Sequence, residues 1–154
     1  MDGLKLLCVE DDPVDVRTLL EIINEFGWTA TFATNGLDGY AFAQTERFDV
    51  IVSDQNMEDL TGLGLFKCVR SGNGPNSQTP FVLNSWSFTP EIIRSAEEMQ
   101  VDALVAKPLL KMHVKQHLNS LVGPAPAANQ TSKPTGPCDC QILKRVPLIQ
   151  KFFA

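Results

Sequence analysis

Short apolar runs alternate with helix-forming stretches through the first 123 residues of this 154-residue chain. The apolar runs predict strands at 4–9, 28–33, 48–53, 81–84 and 101–105. The apolar periodicity predicts helices at 13–26, 37–46, 63–69, 90–99 and 109–121. Strands separated by helices must run parallel, and continuous apolar strands indicate burial on both faces. The pattern therefore predicts an α/β fold: a doubly wound, five-stranded parallel sheet covered by five helices.

Helix-boundary residues support this division of the chain. Asp12 stands before Pro13 and Thr89 before Pro90, the usual order of an N-cap and a first helical residue. Gly27 follows the first helical stripe and is expected to end it. The second predicted helix contains the apolar residues Leu37, Tyr40, Ala41 and Phe42. The fifth has apolar residues on one face: Leu110, Val114, Leu118 and Leu121.

Charge and composition divide the chain in two. Residues 1–123 carry 9 basic and 17 acidic side chains, a net charge of −8, whereas residues 124–154 carry 4 and 1, a net charge of +3. Four prolines lie among small polar residues between 123 and 137, which is typical of a linker. We expect a folded body over 1–123, a linker over 124–140 and an apolar, basic tail over 141–154.

Several classes of protein are disfavoured by composition. No apolar run reaches the roughly 20 residues of a membrane helix, and the N-terminus lacks the basic and apolar regions of a secretory signal. We therefore expect a cytoplasmic protein. The net charge of −5 disfavours direct nucleic-acid binding, which needs a basic surface. Too few residues follow position 123 for a helix-turn-helix domain, so we do not expect this chain alone to be a transcription factor.

Cysteine and histidine residues do not form an obvious metal or redox site. Two cysteines lie within predicted elements and are interpreted as core or near-core residues, Cys8 and Cys68. Two others form an isolated C-x-C pair that lacks a second ligand pair, Cys138 and Cys140. The only two histidines are four residues apart on the last helix and lack an evident third ligand, His113 and His117.

Polar residues that follow four of the predicted strands are the main functional signal. They are Glu10, Asp11 and Asp12 after the first strand, Asp54 after the third, Ser85 after the fourth and Lys107 after the fifth. Each alone is equally compatible with a solvated helix start, a cap or a surface charge. Parallel strands, however, bring their carboxyl ends to one edge, where ligand sites of such sheets lie. The set therefore predicts a shared site.

The chemistry of that set favours a hard cation and a phosphoryl group. Crowded carboxylates repel one another, so they must take up protons or bind a cation. Mg²⁺ is the expected ion because it accepts a few carboxylates and keeps waters. A cation beside a carboxylate and a lysine supplies the positioning and charge stabilisation that phosphoryl transfer needs.

The chain resembles the receiver domain of two-component response regulators over about residues 4–122. The resemblance rests on V-E-D-D-P at 9–13, F-D-V-I-V-S-D-x-N-M at 48–57, L-T-G-L at 60–63, P-F-V-L-N-S at 80–85 and A-K-P at 106–108. It implies the flavodoxin-like strand order 2-1-3-4-5. It also implies a phosphoacceptor protein that takes its phosphoryl group from a histidine kinase or a phosphotransfer protein and signals by changing protein contacts.

The resemblance implies a role for each strand-end residue. Asp54 is implied as the phosphoacceptor, a carboxylate nucleophile toward phosphohistidine. Asp11 is implied as a direct Mg²⁺ ligand, Glu10 as a direct or water-mediated one, and Asp54 as a further ligand. Asn56 is implied to bind Mg²⁺ through its backbone carbonyl, and Ser85 is implied as the switch hydroxyl. Lys107 is implied to contact a phosphoryl oxygen, and its peptide bond to Pro108 is implied to be cis. Such a protein catalyses its own phosphorylation and dephosphorylation without being a conventional enzyme.

Three residues depart from the family pattern. Trp86 follows the switch hydroxyl where the family commonly has a small residue, and Leu104 stands where an aromatic residue is frequent. Glu58 replaces a common proline after Met57. None of these differences removes a reactive group, so they bear on kinetics and on coupling to the output surface.

Other interpretations explain less of the sequence. A haloacid-dehalogenase-like phosphatase needs a second aspartate two residues after the nucleophile, where this chain has Asn56. A flavin-binding relative needs a phosphate loop after the first strand, where E-D-D-P would repel phosphate. A pseudo-receiver that only docks to partners remains an alternative. The chain is either a stand-alone receiver or a fragment of a longer effector, and the tail is either a disordered end or a docking peptide.

Overall fold

A computed structural model describes residues 3–122 of the chain. Five parallel strands form one sheet in the order β2-β1-β3-β4-β5. The strands are β1 (Lys5–Val9), β2 (Thr29–Ala33), β3 (Val50–Asp54), β4 (Phe81–Ser85) and β5 (Ala103–Ala106). The helices between and after them are α1 (Pro13–Glu25), α2 (Gly36–Thr45), α3 (Gly62–Ser71), α4 (Pro90–Glu98) and α5 (Lys111–Val122). The predicted α/β class and the flavodoxin-like strand order are confirmed.

Alternating strand residues build a separate apolar core on each face of the sheet. In β1, Leu7 and Val9 face one core, whereas Leu6 and Cys8 face the other. Helices α2, α3 and α4 cover the first core, and α1 and α5 cover the second. With both faces of the central strands buried, the charged residues of the sheet lie only at strand ends, Lys5 at the start of β1 and Asp54 at the end of β3.

Local sequence signals at the helix starts are reproduced in the fold. The carboxylate of Asp12 accepts a hydrogen bond from the N–H of Val14, and Pro13 is the first residue of α1. Thr89 caps α4 in the same way, and Gly27 after α1 has a φ of 66°. The third strand differs from its predicted range. It begins at Val50, opposite Leu6, and extends to Asp54 because that residue pairs in register with Asn84.

The apolar residues of the second and fifth predicted helices are only partly buried. In α2, the buried positions are the small residues Gly36, Gly39 and Ala43, whereas Leu37 and Phe42 are exposed. The helix lies so close to the sheet that a Cβ atom at Gly39 would be 2.7 Å from the Val9 side chain. The last helix begins at Lys111, two residues later than predicted. Leu110, which was predicted on its apolar face, therefore precedes the helix and is 45% exposed, whereas Leu109 is buried.

The start of α3 packs directly against the end of β3. A Cβ atom at Gly62 would be 2.3 Å from the Leu83 side chain and 2.5 Å from the carbonyl oxygen of Asp54. Glycine at this position therefore has a steric cause. The helix begins at Gly62, one residue before its predicted start, with Thr61 as its N-cap.

The loop between β3 and α3, residues 55–61, is tied to two helices. The side-chain oxygen of Gln55 accepts a hydrogen bond from the N–H of Leu63 in α3. The carboxylate of Asp59 accepts hydrogen bonds from the N–H groups of Gly36 and Leu37, at 3.1 and 2.9 Å, in the first turn of α2. Asp59 thus satisfies free donors at a helix N-terminus and holds the loop in place.

No helix within residues 3–122 is long and apolar enough to cross a membrane. Other sequence predictions concern segments that the structure does not describe. The boundary near Gly123, the linker at 124–140, the tail at 141–154 and the C-x-C pair at Cys138 and Cys140 lie outside the described residues.

The clamp formed by Asp59 predicts a pH-dependent contribution to stability. Hydrogen bonds from backbone N–H groups, that of Leu37 above all, hold the pKa of Asp59 below its ordinary value. A carboxylate whose pKa is lower in the folded state adds stability above its unfolded pKa of about 3.9 and loses it as the pH falls through the folded value. Asp59→Asn should therefore lower the free energy of unfolding near pH 7, and the difference from the parent should shrink below about pH 4.

Urea unfolding across that pH range measures this difference. Glu58→Gln, at the exposed neighbouring residue, is the matched control and should leave the unfolding free energy almost unchanged. An Asp59→Asn difference that is constant from neutral to acid pH would contradict the assignment.

Candidate functional site

A buried lysine lies at the centre of the charged residues at the carboxyl ends of the strands. The Lys107 ammonium is 2.8 Å from Oε2 of Glu10 and 2.7 Å from Oδ2 of Asp15. It is 3.5 Å from Oδ1 of Asp54. The Lys107 side chain is only 2% exposed and that of Glu10 is fully buried. Buried charges of this kind are tolerated because they are paired.

The topology of the sheet explains why these residues meet. Glu10 directly follows β1, Asp54 is the last residue of β3, and Lys107 directly follows β5. All strands run in the same direction, so their ends share one edge. The N–H of Lys107 donates to the carbonyl of Ser85, which continues the ladder between β4 and β5 beyond the strand end. The peptide bond between Lys107 and Pro108 is cis, as the resemblance implied.

Three carboxyl groups form a candidate cation site beside the lysine. Glu10, Asp11 and Asp54 each offer an oxygen atom, and these atoms lie within 4.8 Å of one another. Asp11 is exposed, whereas Glu10 and Asp54 are buried. Hard oxygen ligands at this spacing, open to solvent on one side, fit Mg²⁺ with several retained waters. The donor set therefore fits the ion that the sequence predicted.

Burial and mutual charge shift the pKa values at this site. Burial raises the pKa of Asp54, an effect that the nearby Lys107 opposes and the charge of Asp11 reinforces. Burial likewise raises the pKa of Glu10, against the hydrogen bond and charge of Lys107. For Lys107, burial disfavours the charged form, but hydrogen bonds to Asp15 and Glu10 together raise its pKa. The lysine remains an ammonium ion, but its single positive charge does not balance the negative charges of the carboxyl groups around it.

The predicted switch hydroxyl belongs to a separate hydrogen-bond network at the same edge. Ser85 Oγ donates to the carbonyl of Ser87 at 2.9 Å and accepts from the side-chain amide of Asn56 at 3.1 Å. The backbone N–H of Asn56 also opposes the rise in the pKa of Asp54. The side chain of Asn56 thus ties the loop after β3 to the hydroxyl at the end of β4, a contact that the sequence did not reveal.

Asp15 and Asn84 are two further site residues that the sequence analysis missed. Asp15 lies in the first turn of α1 and forms the shortest contact of the Lys107 ammonium. The available signal was an acidic residue in the first turn of the helix that directly follows the acidic strand end. Asn84 is 1% exposed and pairs in register with Asp54, and its side-chain oxygen and nitrogen lack a hydrogen-bond partner among the described residues. Nothing in the sequence distinguished it from an ordinary strand residue.

The family departures lie at the margin of this site or in the core. Trp86 directly follows Ser85 and is 63% exposed, so its indole is not packed into the core. Leu104 is buried in the core formed with α2, α3 and α4. Glu58 is exposed in the loop between β3 and α3.

Other candidate residues do not join the site. Burial and the charge of Glu10 raise the pKa of the Cys8 thiol to about 12, so it stays protonated as a core residue. Burial and the neighbouring His113 lower the pKa of His117. His113 and His117 are both half-buried, and within residues 3–122 neither histidine belongs to a cluster of three possible metal ligands.

Comparison with known sequences agrees with the fold. The family model for the response regulator receiver domain matches residues 6–119. The transcriptional regulatory protein CusR of Escherichia coli strain K12 is 31% identical over 105 residues, which cover 68% of this chain and 45% of CusR. Hybrid signal transduction histidine kinase G of Dictyostelium discoideum is 27% identical over 118 residues, 75% of this chain and 3% of the kinase. The chain thus spans less than half the length of these curated relatives.

Solved structures show the same fold. The receiver domain of sensor histidine kinase PA1611 from Pseudomonas aeruginosa, with a magnesium ion coordinated in its active site cleft, gives a TM-score of 0.72 at 20% identity, covering 79% of this chain and 99% of that domain. The chemotaxis protein CheY4 of Vibrio cholerae gives a TM-score of 0.71 at 26% identity, covering 77% and 98%. Together with the family match over residues 6–119, these similarities show that the chain belongs to the receiver domain family of two-component response regulators.

Proposed function

We propose that this receiver accepts a phosphoryl group on Asp54 from a phosphohistidine of a histidine kinase or a phosphotransfer protein. The observation that carries the proposal is the placement of Asp54. Its carboxylate is nearly buried at the end of β3, 3.5 Å from the Lys107 ammonium and grouped with Glu10 and Asp11. A carboxylate in this setting has a cationic neighbour for a phosphoryl oxygen and ligands for a cation on the other side.

The transfer step needs only groups of this kind. An oxygen of the Asp54 carboxylate attacks the phosphorus atom, the O–P bond forms, and the P–N bond to histidine breaks with its electron pair left on the imidazole nitrogen. Hydrolysis of the acyl phosphate by water then releases inorganic phosphate and restores the carboxylate. The protein therefore promotes both steps on itself, rather than turning over a separate substrate.

The acidic cluster supports Mg²⁺ as the cofactor of this reaction. Asp11 and Asp54 would bind the ion directly, Glu10 directly or through water, and Asn56 through its backbone carbonyl. A bound Mg²⁺ offsets the carboxylate charges and stabilises the negative charge of the phosphoryl group. The magnesium in the PA1611 receiver structure is consistent with this assignment.

Lys107 and Ser85 are proposed to register the arrival of the phosphoryl group. The Lys107 ammonium would bind a phosphoryl oxygen through its third N–H donor, since within residues 3–122 only two of the three form short hydrogen bonds and Asp54 lies 3.5 Å away. The Ser85 hydroxyl has one proton, which it now donates to Ser87. Donation to a phosphoryl oxygen would require it to leave Ser87, and so would change the loop that follows β4.

The output is proposed to be a change in protein contacts. Residues 1–123 would form the receiver, 124–140 a linker and 141–154 an apolar, basic tail. The protein would act in the cytoplasm by binding other proteins. The net charge of −8 over 1–123 argues against direct DNA contact by this domain. CusR is a transcriptional regulatory protein, but this chain matches 45% of it, so DNA-binding activity is not carried over.

The first test concerns the acceptor. Incubation with acetyl phosphate or phosphoramidate and Mg²⁺ should add one phosphoryl mass to the intact protein, and Asp54→Asn should abolish the adduct because an amide is not a nucleophile of this kind. Mass spectrometry measures both. Glu58→Gln, four residues along the same loop, should keep the adduct. An adduct that persists in Asp54→Asn would place the acceptor elsewhere, and an unmodified parent would favour the pseudo-receiver.

The second test concerns the metal. Calorimetric titration of the parent should show one Mg²⁺ site, and Asp11→Asn should weaken it by at least about tenfold, the loss seen even for groups that only orient metal ligands. Asp12→Asn is the matched control, because Asp12 is directed to the N-cap hydrogen bond of α1 and asparagine caps equally well. Equal affinity in Asp11→Asn and the parent would refute the ligand assignment.

The third test uses Trp86 as a reporter. Because Trp86 directly follows Ser85 and is 63% exposed, movement of the switch hydroxyl should change its surroundings. Mg²⁺ with beryllofluoride, a mimic of the phosphoryl group, should change the tryptophan fluorescence, and Trp86→Phe should remove most of that change. Trp28 packs against Phe26 in the core beneath α1 and α5, so Trp28→Phe should preserve it. A signal that survives in Trp86→Phe would show that residue 86 does not respond.

A further inference from the structure

Asp15 contacts the Lys107 ammonium more closely than either of the other two carboxylates does. The distance from Lys107 Nζ is 2.7 Å to Asp15, 2.8 Å to Glu10 and 3.5 Å to Asp54. Only the first two are hydrogen bonds. An ammonium ion has three N–H donors, so two are engaged away from Asp54 and one remains for it. The resting position of the lysine is therefore biased toward Asp15 and Glu10.

Asp15 has no other assigned task at this edge of the sheet. It is outside the group of three carboxyl residues that can hold a cation. It does not cap α1 either, since Asp12 fills that position. Its side chain is largely buried, at 13% exposure, and is directed to Lys107 from the first turn of the helix. Its contact with the lysine is thus separate from metal binding and from helix capping.

A carboxylate in this position competes with a phosphoryl group for the same cation. The phosphoryl group would be bonded to Asp54, on the side of the ammonium where the distance is longest. Any movement of Lys107 toward it stretches the hydrogen bond to Asp15. The negative charge of Asp15 also remains beside the Lys107 ammonium. It offsets part of the attraction between the ammonium and the phosphoryl oxygens.

We propose that Asp15 is a positioning residue that restrains Lys107 in the unphosphorylated receiver and weakens its hold on a phosphoryl group at Asp54. This proposal rests on the proposed phosphoacceptor function of Asp54. Asp15 sets how strongly the phosphorylated form is favoured, through the lysine rather than through the metal. A receiver in which residue 15 is neutral should hold the phosphoryl group, or its mimic, more tightly.

The test is a beryllofluoride titration of the full chain at saturating Mg²⁺, followed by tryptophan fluorescence. Asp15→Asn keeps an oxygen that can accept from Lys107 but removes the negative charge. It should lower the Kd for beryllofluoride by roughly three- to tenfold, the range expected when one charged contact of a shared group is released. Asp15→Glu restores the carboxylate and should return the Kd toward that of the parent.

Asp12→Asn is the matched control for the loss of a nearby charge. Asp12 lies in the same acidic run but is directed to the Val14 N–H instead of Lys107. Its Kd should stay within about twofold of the parent, because an exposed charge without contact to the ammonium is screened by solvent. Thermal unfolding of each variant checks that the fold is retained. We do not expect the unfolding temperatures to change in parallel with the Kd for beryllofluoride.

The outcomes separate the two proposals. Tighter binding in Asp15→Asn, reversed in Asp15→Glu and absent in Asp12→Asn, supports the restraint. Equal changes of the Kd in Asp15→Asn and Asp12→Asn would show that Asp15 acts only through its contribution to the overall negative charge. That result would overturn the proposed restraint but not the phosphoacceptor function. Weaker binding in Asp15→Asn would overturn it in favour of a supporting contact. A parent that shows no beryllofluoride binding dependent on Asp54 would overturn the phosphoacceptor function, and the restraint with it.

Discussion

The buried ammonium of Lys107 is the interaction on which the functional edge of this domain depends. It joins the end of β5 to the end of β1 and to the first turn of α1 through Glu10 and Asp15. Burying an ion costs several kcal/mol, and removing one partner of a buried pair typically costs about 3–5 kcal/mol because the other charge is left unpaired. The ends of β1 and β5 are therefore held at a fixed spacing, because separating the paired charges would cost several kcal/mol.

One ammonium does not balance the carboxyl groups around it. Glu10, Asp15 and Asp54 all approach Lys107, and Asp11 adds a fourth negative group from the solvent side. Burial already favours the protonated forms of Glu10 and Asp54. The same imbalance that strains the site electrostatically makes it receptive to a divalent cation, whose charge removes the repulsion. A positive residue in place of Asp11 would satisfy the charges and remove the reason to bind metal.

Hydrogen bonds connect this edge to the helices around it. The loop after Asp54 is bound to α3 through Gln55 and to α2 through Asp59. The side-chain amide of Asn56 donates a hydrogen bond to the hydroxyl of Ser85, at the end of β4 and before α4. The loop that directly follows Asp54 is therefore hydrogen-bonded to α2, to α3 and to the strand end that precedes α4. These contacts consist of short polar bonds, which rearrange at smaller cost than the packed cores behind them.

The sequence by itself determined the fold class, the cap residues of α1 and α4, and the identity of the charged residues at the strand ends. It could do so because apolar periodicity, capping and the shared direction of parallel strands are local or topological properties. Only the tertiary structure decided that α2 buries Gly36, Gly39 and Ala43, that Asp15 turns to Lys107, and that Asn56 reaches Ser85. These outcomes depend on how closely helices approach the sheet and on which side chains then meet across separate elements, and single-sequence periodicity carries no information about such distances.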